Sequence, residues 1–338
     1  MKKSPNTELS ELTQNLSNLK LEKKKSKKEV ERKIENCINK LFHINHIVFE
    51  KIGFDYIKLY MMGHELKKPI HFTQKIASGS YGSIYQVENK KAVVKKYHKN
   101  YKDESIIQEN MIHIILHCIQ PILKKCFGHP ISHCIPKLYE FVGIPQHMTV
   151  MEQLDATVRT LLDNNDFDTE KGFLIRLMYI LYFLQSTTYF VHRDLHIENV
   201  LLKQTKEKTT KIFINNQNVT EITSNYEVYL IDFGFSCLSF KKCDIDLPDI
   251  VSGDFYQSKK CTNRSHDARL FLASLLFSHQ KHLSQKLQNF IKNLLSRYTQ
   301  LQNFKNFKVK SHFFYNDVIN VDDKNFYPEN IILNLIKL

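Results

Sequence analysis

Residues 191–202 limit the possible folds more tightly than any other part of this 338-residue chain. They read Val-His-Arg-Asp-Leu-His-Ile-Glu-Asn-Val-Leu-Leu, after one apolar run and before another. This pattern predicts a polar loop that joins a buried helix to a buried strand. Within the loop, Asp194 can accept or orient the proton of an acceptor hydroxyl. Asn199, five residues later, can bind a metal ion that bridges phosphates.

A second carboxylate follows an apolar strand predicted over residues 228–231. The strand ends in Asp232-Phe233-Gly234, so that the carboxylate of Asp232 stands at a strand end. Mg²⁺ prefers one or two protein carboxylates together with phosphate oxygens. Asp232 and Asn199 are therefore the predicted Mg²⁺ ligands.

Two glycines, Gly79 and Gly82, lie in the turn of a strand-turn-strand pattern. A residue without a Cβ lets backbone N–H groups come close to a phosphate. No Gly-Lys-Ser/Thr sequence follows into a helix, so the turn is not a P-loop.

A lysine on the third predicted strand is suited to contact phosphate oxygens. Strand alternation places Val93 and Lys95 on one face, where the apolar side chain can cover a base. Lys96 faces the opposite way and is the alternative. A buried lysine needs an acidic partner. Glu109 on the following helix is favoured over Glu104, which lies at the helix start where an acid stabilises the dipole.

The order of predicted elements indicates an α+β protein, with a small β-rich lobe followed by a mainly helical lobe. Strands are predicted over residues 72–95, 137–142 and 147–152, and helices over residues 104–119 and 169–189. The predicted domains are a basic arm (1–35), an extension (36–71), the first lobe (72–153) and the second lobe (154–338). A hairpin over residues 203–226 is predicted as an insertion.

Together these motifs resemble the eukaryotic protein kinase superfamily, in the divergent style of kinases from large DNA viruses. The resemblance covers roughly residues 72–300. It implies a two-lobed kinase fold and transfer of the γ-phosphoryl of ATP, with Mg²⁺, to serine or threonine hydroxyls of proteins. It also implies Asp194 as the catalytic base and Asp267 as a brace for the loop that carries Asp194, although a plain helix cap explains Asp267 equally well.

Further residues are assigned to catalysis or ATP binding. Lys95 and Asn199 join Asp194 as catalytic residues. The residues expected to bind ATP are Ala77, Ser78, Gly79, Ser80, Tyr81, Gly82, Ile84, Val93, Lys95, Glu109, Met151, Glu152 and Leu154.

Some residues depart from the family pattern. Ala77 replaces the first loop glycine, His196 replaces the usual lysine, and no Ala-Pro-Glu sequence follows Asp232. His196 and the missing Ala-Pro-Glu also fit a small-molecule kinase of the same superfamily. A nucleotide-binding scaffold without activity is a third hypothesis, and the intact metal ligands argue against it.

The formal net charge of +13 favours acidic protein partners and nucleic acid. Basic residues concentrate in segments 23–28 and 281–310, although such runs are commonly solvated surface. The most apolar stretch is too short and too charged to span a membrane. Seven scattered cysteines with no CxxC pair, and no N-terminal apolar segment, predict an intracellular protein with reduced thiols, in the host cytoplasm, the nucleus or a virion.

Overall fold

The computed structural model describes residues 70–88, 90–127, 134–142, 147–163, 166–215, 217–239, 250–251, 263–296 and 322–338. They form two compact units. The first unit contains the described residues up to Gln153 together with Ile250 and Val251. The second unit contains those from Leu154 to Ser239 and from Asn263 onward. Four predicted segments lie outside the described residues: the arm, nearly all of the extension, the basic segment 23–28, and residues 297–310 of the basic segment 281–310.

The first unit is built on an antiparallel sheet with the strand order β1-β2-β3-β5-β4. In chain order these strands are β1 (Phe72–Ser78), β2 (Gly82–Val87), β3 (Ala92–Tyr97), β4 (Leu138–Val142) and β5 (Met148–Glu152). The buried core of the sheet consists of Val87, Ala92, Val94, Met148 and Val150. The remaining described strand of this unit is Ile250–Val251.

One long helix, α1 (Asp103–Phe127), completes the first unit. It is longer than the helix predicted over residues 104–119, because it continues through Pro121. A proline removes its own N–H bond to the preceding turn, but it does not always end a helix. The apolar side chains of Ile106, Met111 and Ile115 on α1 are buried.

The buried side chain of His113 makes the stability of the first unit depend on pH. Its Nε2 lies 2.8 Å from the carbonyl oxygen of Pro136, to which the N–H donates. Burial lowers the pKa of His113 to about 4, and nearby His117 and Lys95 act in the same direction. The unfolded chain therefore binds a proton near pH 6.5, where the folded chain does not.

We expect the free energy of unfolding to fall as the pH drops from about 6.5 to about 4, with His113 contributing up to about 3 kcal/mol of the loss. His113→Gln keeps a donor for Pro136 but does not titrate. Unfolding curves measured at several pH values should therefore be less pH-dependent in this variant. Identical pH dependence in both proteins would contradict the assignment.

The second unit combines helices with a three-stranded sheet of order β6-β7-β8. Its strands are β6 (Ala156–Thr157), β7 (Val200–Ile214) and β8 (Gln217–Leu230), followed by the short strand β9 (Cys237–Leu238). Its α-helices are α2 (Val158–Leu162), α3 (Phe167–Thr188), α4 (His266–His279), α5 (Gln285–Leu295) and α6 (Pro328–Ile336). The protein is therefore of the α+β class, with an antiparallel sheet in its N-terminal part and helices in its C-terminal part.

Strands β7 and β8 form one continuous hairpin, and residues 203–226 are its distal part. This hairpin packs against α3 through polar side chains. The hydroxyls of Tyr179 and Tyr182 accept backbone N–H groups near the hairpin tip, at 3.3 and 3.2 Å. Arg176 Nη2 donates to the carbonyl oxygen of Ile222 at 3.1 Å. A pocket of about 690 Å³ lies between the start of α3 and residues 220–226, and none of the predicted site residues lines it.

Two further expectations concern cysteines and membranes. Cys237 is disulfide-bonded, so the expectation of reduced thiols is wrong for this residue. None of the helices in the described part of the chain is long and apolar enough to cross a membrane. The compartment stays a prediction.

Candidate functional site

The first unit brings Lys95 and Glu109 together. Strand β3 buries Lys95, whose side chain is 9% exposed, and leaves Lys96 exposed. Lys95 Nζ lies 2.6 Å from Glu109 Oε1 on α1, and the ammonium lies 5.0 Å from the ring centroid of Tyr97. Such a close buried pair fixes the direction of the lysine side chain.

The glycine turn between β1 and β2 is closed by a bond from Gly79 N–H to the carbonyl oxygen of Gly82, at 2.9 Å. The two glycines have different surroundings. A Cβ on Gly82 would lie 2.7 Å from the carbonyl oxygen of Lys96, whereas a Cβ on Gly79 would meet nothing within 4 Å. Gly82 is thus required by its contact with β3. At Gly79 the space is open for a ligand.

The other residues predicted to contact ATP in the first unit lie on β1, β2, β3 and β5 or in the turn between β1 and β2. Ala77, Ser78 and Ser80 are exposed, while Tyr81 and Ile84 are partly buried. Val93 and Met151 are partly buried and are cross-strand partners on β3 and β5. Glu152 is buried, and its backbone N–H donates to the carbonyl oxygen of Lys137 at 2.8 Å. Leu154 belongs to the second unit and is partly buried.

The loop that carries Asp194 is held at its backbone by Asp267, the second residue of α4. Asp267 is fully buried, and its two carboxylate oxygens accept the N–H groups of His192 and Arg193 at 2.8 and 2.9 Å. Arg193 has φ 67°, a left-handed conformation that a non-glycine residue adopts only when its surroundings stabilise it. Asp267 is therefore a brace for the loop as well as a first-turn acid.

Asp194, Asn199 and His196 lie together in this loop. Asn199 Nδ2 donates to the backbone oxygen of Asp194 at 2.7 Å. The Oδ1 of Asn199 therefore points away from this hydrogen bond. His196 Nε2 lies 3.6 Å from Asp194 Oδ2 and 3.1 Å from Asn199 Nδ2. Burial lowers the pKa of His196, but the hydrogen bond and charge of Asp194 outweigh burial, so the pKa lies above its usual value. A neutral ring accepts from Asn199, and a protonated ring pairs with Asp194.

Asp232 follows β8 and is held near the same loop. It has φ 63°, and its neighbour Phe233 is buried against the rings of Phe190 and His192. The backbone N–H of Ile231 donates to the carbonyl oxygen of Asn199 at 3.1 Å, which joins the end of β8 to the loop. Asp232 also contributes to the raised pKa of His196.

The oxygen donors of Asp232 and Asn199 fit Mg²⁺ better than a softer metal. Among the described residues, no group of three or more His, Cys, Asp or Glu side chains could hold a metal ion.

The sequence predicted no role for several residues that support the site in the structure. His192 Nε2 lies 2.9 Å from the carbonyl oxygen of Ile231, and Arg264 pairs with Glu329 at 2.8 Å just before the helix that bears Asp267. Asn110 contacts both β3 and β5 beside Glu109. An amide at an otherwise apolar helix position was the available signal for Asn110. No pattern in the sequence around Glu329 predicts its pairing with Arg264.

Comparison with known proteins gives a distant similarity. No protein-family model matches the chain. A protein of Acanthamoeba polyphaga mimivirus, described as a putative serine/threonine-protein kinase, is 26% identical to this chain over 150 residues. The match covers 42% of this chain, which spans about a quarter (26%) of the length of the viral protein. The similarity is partial, and it indicates a distant relationship to kinases.

Proposed function

We propose that this protein is an ATP-dependent kinase that transfers the γ-phosphoryl group of ATP to serine or threonine hydroxyls of proteins. The observation that carries the proposal is the braced loop, in which Asp267 holds the backbone that presents Asp194 and Asn199. The Lys95–Glu109 pair and the distant viral relative support it. We also propose that the two units are the lobes of a kinase-like fold, with 72–153 and 154–338 as their bounds.

In this proposal each residue has one task. Lys95, oriented by Glu109, neutralises charge on the phosphates. Asp194 accepts or orients the proton of the attacking hydroxyl. Asn199 and Asp232 hold Mg²⁺, which when bound neutralises the negative charge of the phosphates. The turn from Ala77 to Gly82 covers the phosphates with backbone N–H groups.

His196 favours a second candidate, a small-molecule kinase of the same superfamily. The imidazole lies 3.6 Å from Asp194 Oδ2, the carboxylate that would activate the acceptor, so it lies where the acceptor binds. A ring in place of a flexible lysine changes the shape and charge offered to that acceptor.

The test is transfer of label from γ-labelled ATP with Mg²⁺, with a Ser/Thr peptide library and a metabolite panel assayed side by side. Label on peptides, lost when EDTA removes Mg²⁺, is the expected result. Label on metabolites alone would favour the second candidate. No label on either, together with a rise in Tm on adding ATP and Mg²⁺, would favour a nucleotide-binding scaffold without activity. No label and no rise in Tm would contradict all three hypotheses.

The basic segments suggest acidic proteins or nucleic acid as partners. On α5 and just before it, Lys281, Lys286 and Lys292 are all exposed. Lys286 also donates to the carbonyl oxygen of Leu338 at 2.8 Å. Part of this positive charge, that of Lys286, therefore forms a hydrogen bond within the chain. Binding of DNA through these lysines should weaken steeply with salt.

A further inference from the structure

A buried polar triangle joins α1 to the sheet of the first unit, beside the Lys95–Glu109 pair. Its centre is Asn110, which is 1% exposed and follows Glu109 directly. The amide nitrogen of Asn110 donates to the Tyr97 hydroxyl at 3.0 Å and to the carbonyl oxygen of Ile106 at 2.8 Å. The amide oxygen accepts from Thr149 Oγ1 at 2.7 Å.

The triangle is closed by the hydroxyls of Tyr97 and Thr149, which lie 3.3 Å apart. One consistent set of donors satisfies all three sides. Asn110 donates to Tyr97, Tyr97 donates to Thr149, and Thr149 donates to the amide oxygen of Asn110. Each hydroxyl proton is used once. A buried network that is fully satisfied favours one arrangement of its elements, because any displacement leaves polar atoms without partners.

The triangle shares both of its strands with Lys95. Thr149 on β5 is the cross-strand partner of Lys95 on β3. Tyr97 lies two residues after Lys95, so their side chains share one face of the strand. On α1, Asn110 and Glu109 are consecutive. A rotation or shift of α1 large enough to separate Glu109 from Lys95 must therefore also break the bonds of Asn110.

We propose that Asn110, Tyr97 and Thr149 are positioning residues that set the rotation of α1 and hold Glu109 against Lys95 before any nucleotide binds. The consequence for catalysis rests on the proposed function. The bonds that hold the pair all lie within the first unit, so phosphoryl transfer does not depend on a modification or a partner to bring Glu109 into place.

Isosteric changes separate this role from simple volume. Asn110→Leu retains the approximate size of the side chain but removes all three of its hydrogen bonds. Thr149→Val removes one hydroxyl and keeps the branched shape, so it is the milder variant if Asn110→Leu folds poorly. Glu109→Gln removes the negative charge that pairs with Lys95. This variant therefore shows how reactive the amine of Lys95 becomes when the ion pair is lost.

The test is the rate at which an amine-reactive reagent modifies the ε-amine of Lys95, measured by mass spectrometry on the nucleotide-free full chain. The exposed Lys96 serves as the internal reference. Lys95 should react slowly in the wild type and several-fold faster in Glu109→Gln. In Asn110→Leu and in Thr149→Val, the modification rate of Lys95 should rise towards the rate seen in Glu109→Gln. In the Glu109→Gln background, adding Asn110→Leu should have little further effect.

The matched control is His113→Ala, which removes the 2.8 Å bond from α1 to Pro136 without touching the triangle. Lys95 should stay slow in this variant. The proposal would be overturned if His113→Ala accelerated the modification of Lys95 as much as Asn110→Leu does. It would also be overturned if Lys95 reacted at the wild-type rate in both Asn110→Leu and Thr149→Val. This labelling needs neither ATP nor an acceptor, so its outcome is independent of whether the wild type transfers phosphate.

Where transfer is found, Asn110→Leu should lower kcat/KM for ATP, and wild-type protein that has never been phosphorylated should be active.

Discussion

Asp194→Asn is expected to lower the kcat for phosphate transfer by roughly 10²–10⁴-fold, the usual contribution of a general base. Asparagine has nearly the same shape as aspartate but accepts no proton. The loop should keep its conformation, because the bonds from Asp267 to His192 and Arg193 involve backbone groups. Label transferred from γ-labelled ATP measures the change, and the affinity for ATP should stay nearly the same.

Glu198→Gln is the matched control for this experiment. Glu198 is an exposed acid four residues after Asp194 in the same loop. Its neutralisation changes the local charge by the same amount, yet the rate should remain close to that of the wild type. Transfer unaffected by Asp194→Asn would show that Asp194 is not the base. Equal losses in both variants would indicate a general effect of negative charge instead.

Asp267→Ala should have the largest effect on stability. It leaves the backbone N–H groups of His192 and Arg193 without their acceptor in a buried region. Each unsatisfied buried donor costs about 1–3 kcal/mol, so the free energy of unfolding should fall by about 2–6 kcal/mol. Urea denaturation of the two proteins measures the difference. Activity should fall as well, because the loop that carries Asp194 loses its support.

Asp168→Ala tests whether Asp267 is only a first-turn acid. Asp168 is an exposed acid in the first turn of α3, where it interacts with the helix dipole alone. Its removal should cost about 0.3–1 kcal/mol. If Asp267→Ala costs no more than this, the brace contributes nothing measurable, and plain helix capping is the correct account of Asp267.

Much of the first unit follows from local patterns. The strand-turn-strand pattern over residues 72–95 predicted strands there, and the structure has β1, β2 and β3 in that part of the chain. Strand alternation placed Val93 and Lys95 on one face and Lys96 on the other. In the structure Lys95 is buried and Lys96 is exposed. These features were predictable because strand facing depends only on neighbouring residues. The extent of α1 was not, since Pro121 is a local stop signal that this helix overrides.

The hairpin shows where local reasoning stops. Turn-forming residues around 215–218 marked its tip, and the structure has its turn between β7 and β8 there. Its attachment to α3 through Tyr179, Tyr182 and Arg176 has no local signal. Those three side chains lie three residues apart on one helix face, a spacing equally typical of any buried face.

The sequence by itself determined which chemical groups are present and how each is placed along its own strand or loop. Asp194 with Asn199, Asp232 at a strand end and Lys95 on the same strand face as Val93 all follow from short-range patterns. Tertiary structure alone decided what three other residues are for. Gly82 is required by a carbonyl group on the neighbouring strand, Asp267 braces a loop 75 residues earlier, and Asn110 bonds to Thr149, 39 residues later. The physical reason is that hydrogen bonds and close contacts depend on distance in space, which a local pattern does not encode.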